Sequence, residues 1–234
     1  YHRHYYTFLL MKHTLLLIWL LLPLAAFAQF ERETDRGASL AVELEKDLTR
    51  SLSLFFEEEV RFANNSIGFD RNMLTLGADY ALFDKRMKIG VAYCNIHLYN
   101  SDQNFENRHR YYAFLSWKQP LGDFTLSWRG RFQGTYRNEN LGEYKINPKY
   151  ILRNKLDLEY TIFGSPWKPF VSAELSNTTN DPMGNYAYRI RYKGGVNWRM
   201  NRTESMEFFL RFDQFLADDD PHVIALGVSF KKKI

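Results

Sequence analysis

Alternation of polar and apolar residues, sustained over segments of up to sixteen residues, most limits the folds open to this chain. Between Phe124 and Arg137 one face reads Phe124, Leu126, Trp128, Gly130, Phe132, Gly134 and Tyr136. The other reads Thr125, Ser127, Arg129, Arg131, Gln133, Thr135 and Arg137. Successive side chains on a strand point to opposite faces, so this pattern marks a strand with one apolar and one polar side. Tyr150–Ile162 and Tyr186–Asn201 repeat the design. Ala38–Leu48, Ser51–Phe62, Met73–Phe83, Met87–Tyr99, Arg108–Lys118, Pro169–Ser176, Met206–Leu216 and His222–Phe230 follow it less regularly. Strands of soluble domains usually have about five or six residues. A tilted strand that crosses a bilayer needs about 9–11.

The connections alternate too. Tight turns are expected near Thr49, Lys85, Gly122, Pro166 and Arg202. Longer polar loops are expected at Ala63–Asn72, Asn100–Asn107, Asn138–Asn147, Asn177–Gly184 and Ala217–Pro221. Short turns on one side and longer loops on the other are the pattern of a transmembrane barrel. Trp117, Phe124, Trp128, Trp167, Trp198 and Phe208 lie beside the short turns, and Tyr99, Tyr111, Tyr136, Tyr150, Tyr186 and Tyr188 beside the long loops. Two aromatic girdles, one at each membrane interface, would place them so. A soluble periplasmic barrel or sandwich also alternates, but with shorter strands and without aromatics sorted by turn type. The pattern yields eleven strands, whereas single-chain bacterial barrels carry an even number. A first strand from residues 29–36 would give twelve, the number expected here, with both ends on the periplasmic side; one misread strand would give ten.

Composition fits spanning strands better than spanning helices. A mean hydropathy of −0.43 is too polar for helical spans, but a barrel with half its strand residues facing the lumen can be this polar. Aromatics make up 17% of the chain. The net charge of +4 falls to +2 without residues 1–28, which hold Arg3 and Lys12 and no acid. Bulk charge therefore points to neither nucleic acid nor an acidic membrane. The one cysteine, Cys94, excludes an internal disulfide. The first methionine, Met11, opens a secretory signal: Lys12 and His13, an apolar run from Leu15 to Leu24, and Ala26-Phe27-Ala28 as the cleavage site. The run is too short for a membrane span, which needs about 20 residues. Residues 1–10 are read as upstream of the true start.

The stretch SLAVELEKDLTRSLSLFFEEEVRF, Ser39–Phe62, resembles the opening of a family of uncharacterised bacterial outer-membrane barrels known as a domain of unknown function. YAYRIRYKGGVNWRM, Tyr186–Met200, is similar to its later strands. The resemblance implies an outer-membrane barrel and no particular activity. Barrels of this kind normally end on an aromatic residue read by the assembly machinery; here Phe230 is followed by Lys231, Lys232, Lys233 and Ile234.

Candidate functional residues lie on the polar face. Early strands place acids there: Glu43, Glu45, Asp47, Glu57 and Glu59. Later strands place mostly bases: Arg129, Arg131, Arg137, Arg153, Lys155, Arg189, Arg191, Lys193 and Arg199, with Asp157 and Glu159 among them. Opposed walls of this kind could form a narrow aqueous pore that orients charged or zwitterionic solutes, or could interlock as a polar plug, as in small barrels. His97, His109 and His222 lie near long loops, with Ser101 close to His97. A rim Ser–His pair would be the minimum for a lipid hydrolase, but headgroup contact is the simpler reading. Asp218, Asp219 and Asp220 read as a solvated loop tip, and Gly130, Gly134, Gly194 and Gly195 as kinks or close-packing points.

The expectation is an all-β, transmembrane, antiparallel up-and-down barrel of ten to twelve strands over residues 29–234. It would be monomeric, in a Gram-negative outer membrane, with the bilayer, lipopolysaccharide and the barrel-assembly machinery as partners. No cofactor, metal or nucleic acid is expected. Passive passage of small charged or zwitterionic solutes leads; a lipid-modifying enzyme and a plugged structural or adhesive barrel are the alternatives.

Overall fold

In the computed structural model the described residues are 34–63, 68–99, 105–137, 146–216 and 221–234. The segment read as a secretory signal, Ser101 and the three aspartates at 218–220 lie outside them. Eleven strands follow one another: β1 (Thr34–Asp47), β2 (Leu52–Ala63), β3 (Gly68–Leu82), β4 (Met87–Tyr99), β5 (Phe105–Leu121), β6 (Phe124–Tyr136), β7 (Lys149–Tyr160), β8 (Trp167–Thr178), β9 (Ala187–Arg199), β10 (Glu204–Phe215) and β11 (His222–Lys233). The shortest have 12 residues and the longest 17, so each is long enough to cross a bilayer.

Neighbours in sequence pair antiparallel, and β1 and β11 close the sheet into a barrel. That closing pair is parallel, from Thr34 against His222 to Glu45 against Lys233. The described residues form eleven strands, within the ten to twelve expected; residues 34–36 lengthen β1, and residues 29–33 of the expected twelfth strand lie outside the described residues. The expectation that both ends share one side is corrected for the described chain, which enters and leaves at opposite ends, as an odd count of alternating strands requires. Thr34 lies at the end with the long β6–β7 connection. Ile234 lies at the short-turn end, where its amide donates to the Glu45 carbonyl at 2.8 Å.

Packing follows the alternation. Large apolar side chains on the outward positions stay exposed, among them Leu40 at 55%, Leu76 at 61%, Leu156 at 54% and Leu226 at 68%. A surface this apolar all round a closed sheet suits lipid and not water. Aromatics gather where turn type places them: near short turns Trp167 stacks on Trp198 at 5.2 Å, and the Phe124 ring lies tilted against Tyr160 at 4.9 Å. Tyr99 meets Phe105 at 5.5 Å at the other end. The buried core is inside the barrel, where Met73, Cys94 and Ile96 pack together with Tyr112 against them.

Two glycines matter to the interior. A Cβ on Gly195 would lie 2.1 Å from the Phe208 carbonyl oxygen, so β9 and β10 approach there as only glycine permits. On β11, Gly227 leaves room for the Phe209 ring, whose Cζ would lie 2.1 Å from an added Cβ.

Candidate functional site: the barrel interior

The inward residues of β6 to β10 form one continuous cross-strand row: Arg129, Lys155, Glu174, Arg191 and Asp213. Charge alternates along its later part, and the side chains pair accordingly. Arg153 bonds Glu174 from the adjacent row. Arg191 Nη2 donates to Asp213 Oδ2 at 2.9 Å, and Lys193 pairs with Glu207. Arg211 Nε lies 3.4 Å from Asp213, and its Nη1 lies 3.8 Å from Glu59 on β2, across the two seam strands. Glu59 in turn takes both branches of Arg61, at 2.8 and 3.0 Å. Arg191, Asp213, Arg211, Glu59 and Arg61 therefore make one charged belt from β9 round to β2. Their side chains are 5–16% exposed.

Beside the belt is a cavity of about 250 Å³. Six arginines and two lysines line it, against Glu57, Glu59 and Glu174. Three of the arginines take part in no salt bridge among the described residues. Arg110 Nε donates to the Thr135 hydroxyl at 3.1 Å. Arg131 stands over the Tyr112 ring at 4.7 Å, and Arg129 over Phe114 at 5.5 Å. Cation–π contact compensates a charge only in part. The cavity thus carries an excess of positive charge, with planar hydrogen-bond donors suited to carboxylate or phosphate.

Residues 37–221, from within β1 to the residue before β11, match the model of a family described as "Protein of unknown function (DUF2490)". This chain belongs to the DUF2490 family. No curated protein matches it. Similar solved structures include a NanC porin, at 15% identity over 76% of this chain and 86% of that one, with a TM-score of 0.49. A KdgM porin is 12% identical over 84% of this chain and 98% of its own, at a TM-score of 0.47. A second KdgM structure, titled as a complex with disordered oligogalacturonate, is 13% identical over 78% and 91%, at 0.44.

Within this DUF2490 barrel the interior residues read from sequence fall into three places. Glu57, Glu59, Arg129, Arg131, Arg153, Lys155 and Arg191 line the central cavity, and Arg189 lies beside it, 4.0 Å from Glu174. Glu43 and Glu45 line the seam, both 2.7 Å from Lys231. Asp157 and Glu159 lie nearer the short turns, bound to Lys155 at 3.2 Å and Lys168 at 3.0 Å; Glu159 also accepts from Asn197 at 2.9 Å. Arg199 is exposed at the short-turn rim. The picture of an acidic wall facing a basic one is too simple. Glu174, Glu207 and Asp213 set acids among the later strands, while Arg61, Lys88 and Lys231 set bases among or beside the early ones. Sequence reading also missed Arg110. The alternation of Arg108, Arg110, Tyr112 and Phe114 was available to find it, but the aromatics blur the polarity of that face.

The histidines form no serine dyad among the described residues. His109 Nδ1 lies 2.7 Å from the Tyr93 hydroxyl, and their rings stack at 6.0 Å. His97 is exposed, and His222 is buried against Phe212.

Proposed function

We propose that this chain is an outer-membrane barrel whose interior gives small charged solutes, anionic or zwitterionic, a narrow passive route. The observation that carries the reading is the cationic excess of the central cavity, with Arg110, Arg129 and Arg131 unmatched by carboxylates. A barrel that merely filled itself would gain by neutralising them, since a buried charge without a partner is costly. The apolar outer face and the aromatic rims support a membrane setting. Lipid and lipopolysaccharide contact, delivery by the assembly machinery and a monomeric state belong to the same proposal.

The charged belt and the cluster of Met73, Cys94 and Ile96 favour a second reading, a plugged structural barrel. Planar-bilayer recording of the refolded mature chain separates the two. Steady small-conductance steps with anions favoured are expected; a silent membrane containing folded barrel supports the plug.

A further inference from the structure

Glu57 and Arg110 share one cross-strand row of the interior. Glu57 faces Thr75, Thr75 faces Cys94, and Cys94 faces Arg110. All four line the central cavity. The two middle residues are short and uncharged, so the row has an acid at one end, a base at the other and a low neutral floor. Neither Glu57 nor Arg110 takes part in a salt bridge among the described residues. Arg131 reinforces the basic end from β6, with the Tyr112 ring against it and no salt bridge among the described residues. Directly opposite Arg131 on β7 stands Arg153. Like charges opposed across a strand pair destabilise a sheet, and Glu174 answers only Arg153 among these arginines. The unmatched charges therefore make a dipolar cradle: guanidinium groups on one wall and a carboxylate on the other.

We propose that this cradle binds a small zwitterion, with its carboxylate or phosphate on Arg110 and Arg131 and its ammonium on Glu57. The inference rests on reading the interior as water-filled. The cavity of about 250 Å³ has room for roughly eight waters at ~30 Å³ each, enough for a ligand of about amino-acid size. A simple anion leaves Glu57 unanswered, and a simple cation meets the arginines. Only a ligand carrying both charges answers both walls, and the guanidinium forks favour a planar or tetrahedral oxyanion at one end.

Isothermal titration of the refolded mature barrel in detergent tests this, with β-alanine as the zwitterion and propionate and propylammonium as its single-charge counterparts. β-Alanine is expected to bind at least tenfold more tightly than either. Glu57→Gln should reduce β-alanine to the level of propionate and leave propionate no weaker. The double substitution Arg110→Gln and Arg131→Gln should abolish binding of both. If the double variant does not fold, the Glu57→Gln comparison decides. Equal binding of β-alanine and propionate, indifference to Glu57→Gln, or no binding at all overturns the proposal. Titration requires no conduction. A barrel that binds but does not conduct contradicts the passive route and keeps this site; a conducting barrel without zwitterion preference does the reverse.

Discussion

Lys231 Nζ on the last strand lies 2.7 Å from Glu43 Oε1 on the first. The same ammonium lies 2.7 Å from Glu45, and Lys233 lies 2.7 Å from Asp47. The lysines after Phe230 are thus part of β11, paired against Glu43–Glu45 of β1. Lys231 and Lys233 are about two-fifths exposed, so each pair contributes only about 0–1 kcal/mol. Neutralising them as Lys231→Gln and Lys233→Gln should cost little. Reversal to Glu at both positions places like charges along the parallel seam and should lower folding yield severalfold. Adding Glu43→Lys and Glu45→Lys should restore it. Heat-modifiable gel mobility measures the folded fraction; no rescue by the double swap would show that these charges do not set the closure.

Leu156 points outward at 54% exposure, whereas Ser127, paired with Asp157, points inward on the neighbouring strand. Leu156→Arg should impair insertion into liposomes, by about 2–4 kcal/mol if the position is near the bilayer midplane. Ser127→Arg gains an acidic neighbour and should insert nearly as well as the parent. Equal yields for the two variants would contradict the assignment of the faces.

Gly195→Ala drives a methyl into the Phe208 carbonyl. Backbone cannot move aside as a side-chain tip can, so overpacking should cost about 1–3 kcal/mol. Gly194→Ala meets only ordinary contacts, the nearest at 3.9 Å, and should be mild. Urea unfolding in detergent compares them; similar midpoints would mean that β9 and β10 are less closely apposed than described.

The Arg191–Asp213 pair tests how dry the belt is. Arg191→Gln leaves Asp213 with one salt bridge among the described residues, to Arg211 at 3.4 Å. In a dry interior breaking such a pair costs about 3–5 kcal/mol, with the double neutral variant less affected than either single one. In a wet interior the singles should lose about 1 kcal/mol or less, near the surface-pair range. A double-mutant cycle by chemical unfolding reads the difference, and the passive-route account predicts the smaller loss.

Much of the fold was legible because period two is a local property. β4 was read with its observed limits, Met87–Tyr99. The misses occur where local polarity and pairing part company. Gly68–Asn72 looked like a loop because Asp70, Arg71 and Asn72 interrupt the apolar pattern, yet Arg71 and Asn72 pair in the sheet and Asp70 is passed over at the register shift opposite Arg61 and Phe62. Lys231 and Lys233 looked like a tail because the acids that accept them lie nearly two hundred positions away, as for Glu43 and Lys231. The parallel closure is a property of the closed sheet, which no single segment encodes, whereas the odd count is already present in the alternation, which yields eleven strands. For the interior, inward charges could be found by alternation, but their partners could not. Arg153 belongs to Glu174 while Arg131 and Arg110 remain without a carboxylate, and that distinction depends on geometry across strands.

Reversal potential in a salt gradient across a planar bilayer tests the central claim most directly. The mature barrel, with its cationic cavity, should favour anions. Arg129→Gln with Arg131→Gln removes two unmatched charges from that wall and should move the reversal potential toward cation preference. The shift should grow at low salt, where the Debye length reaches about 30 Å at 0.01 M. Such a shift in a conducting variant is the predicted result. A steady wild-type conductance whose reversal potential is unchanged by the two substitutions, or a folded wild-type barrel that never conducts, would contradict the account.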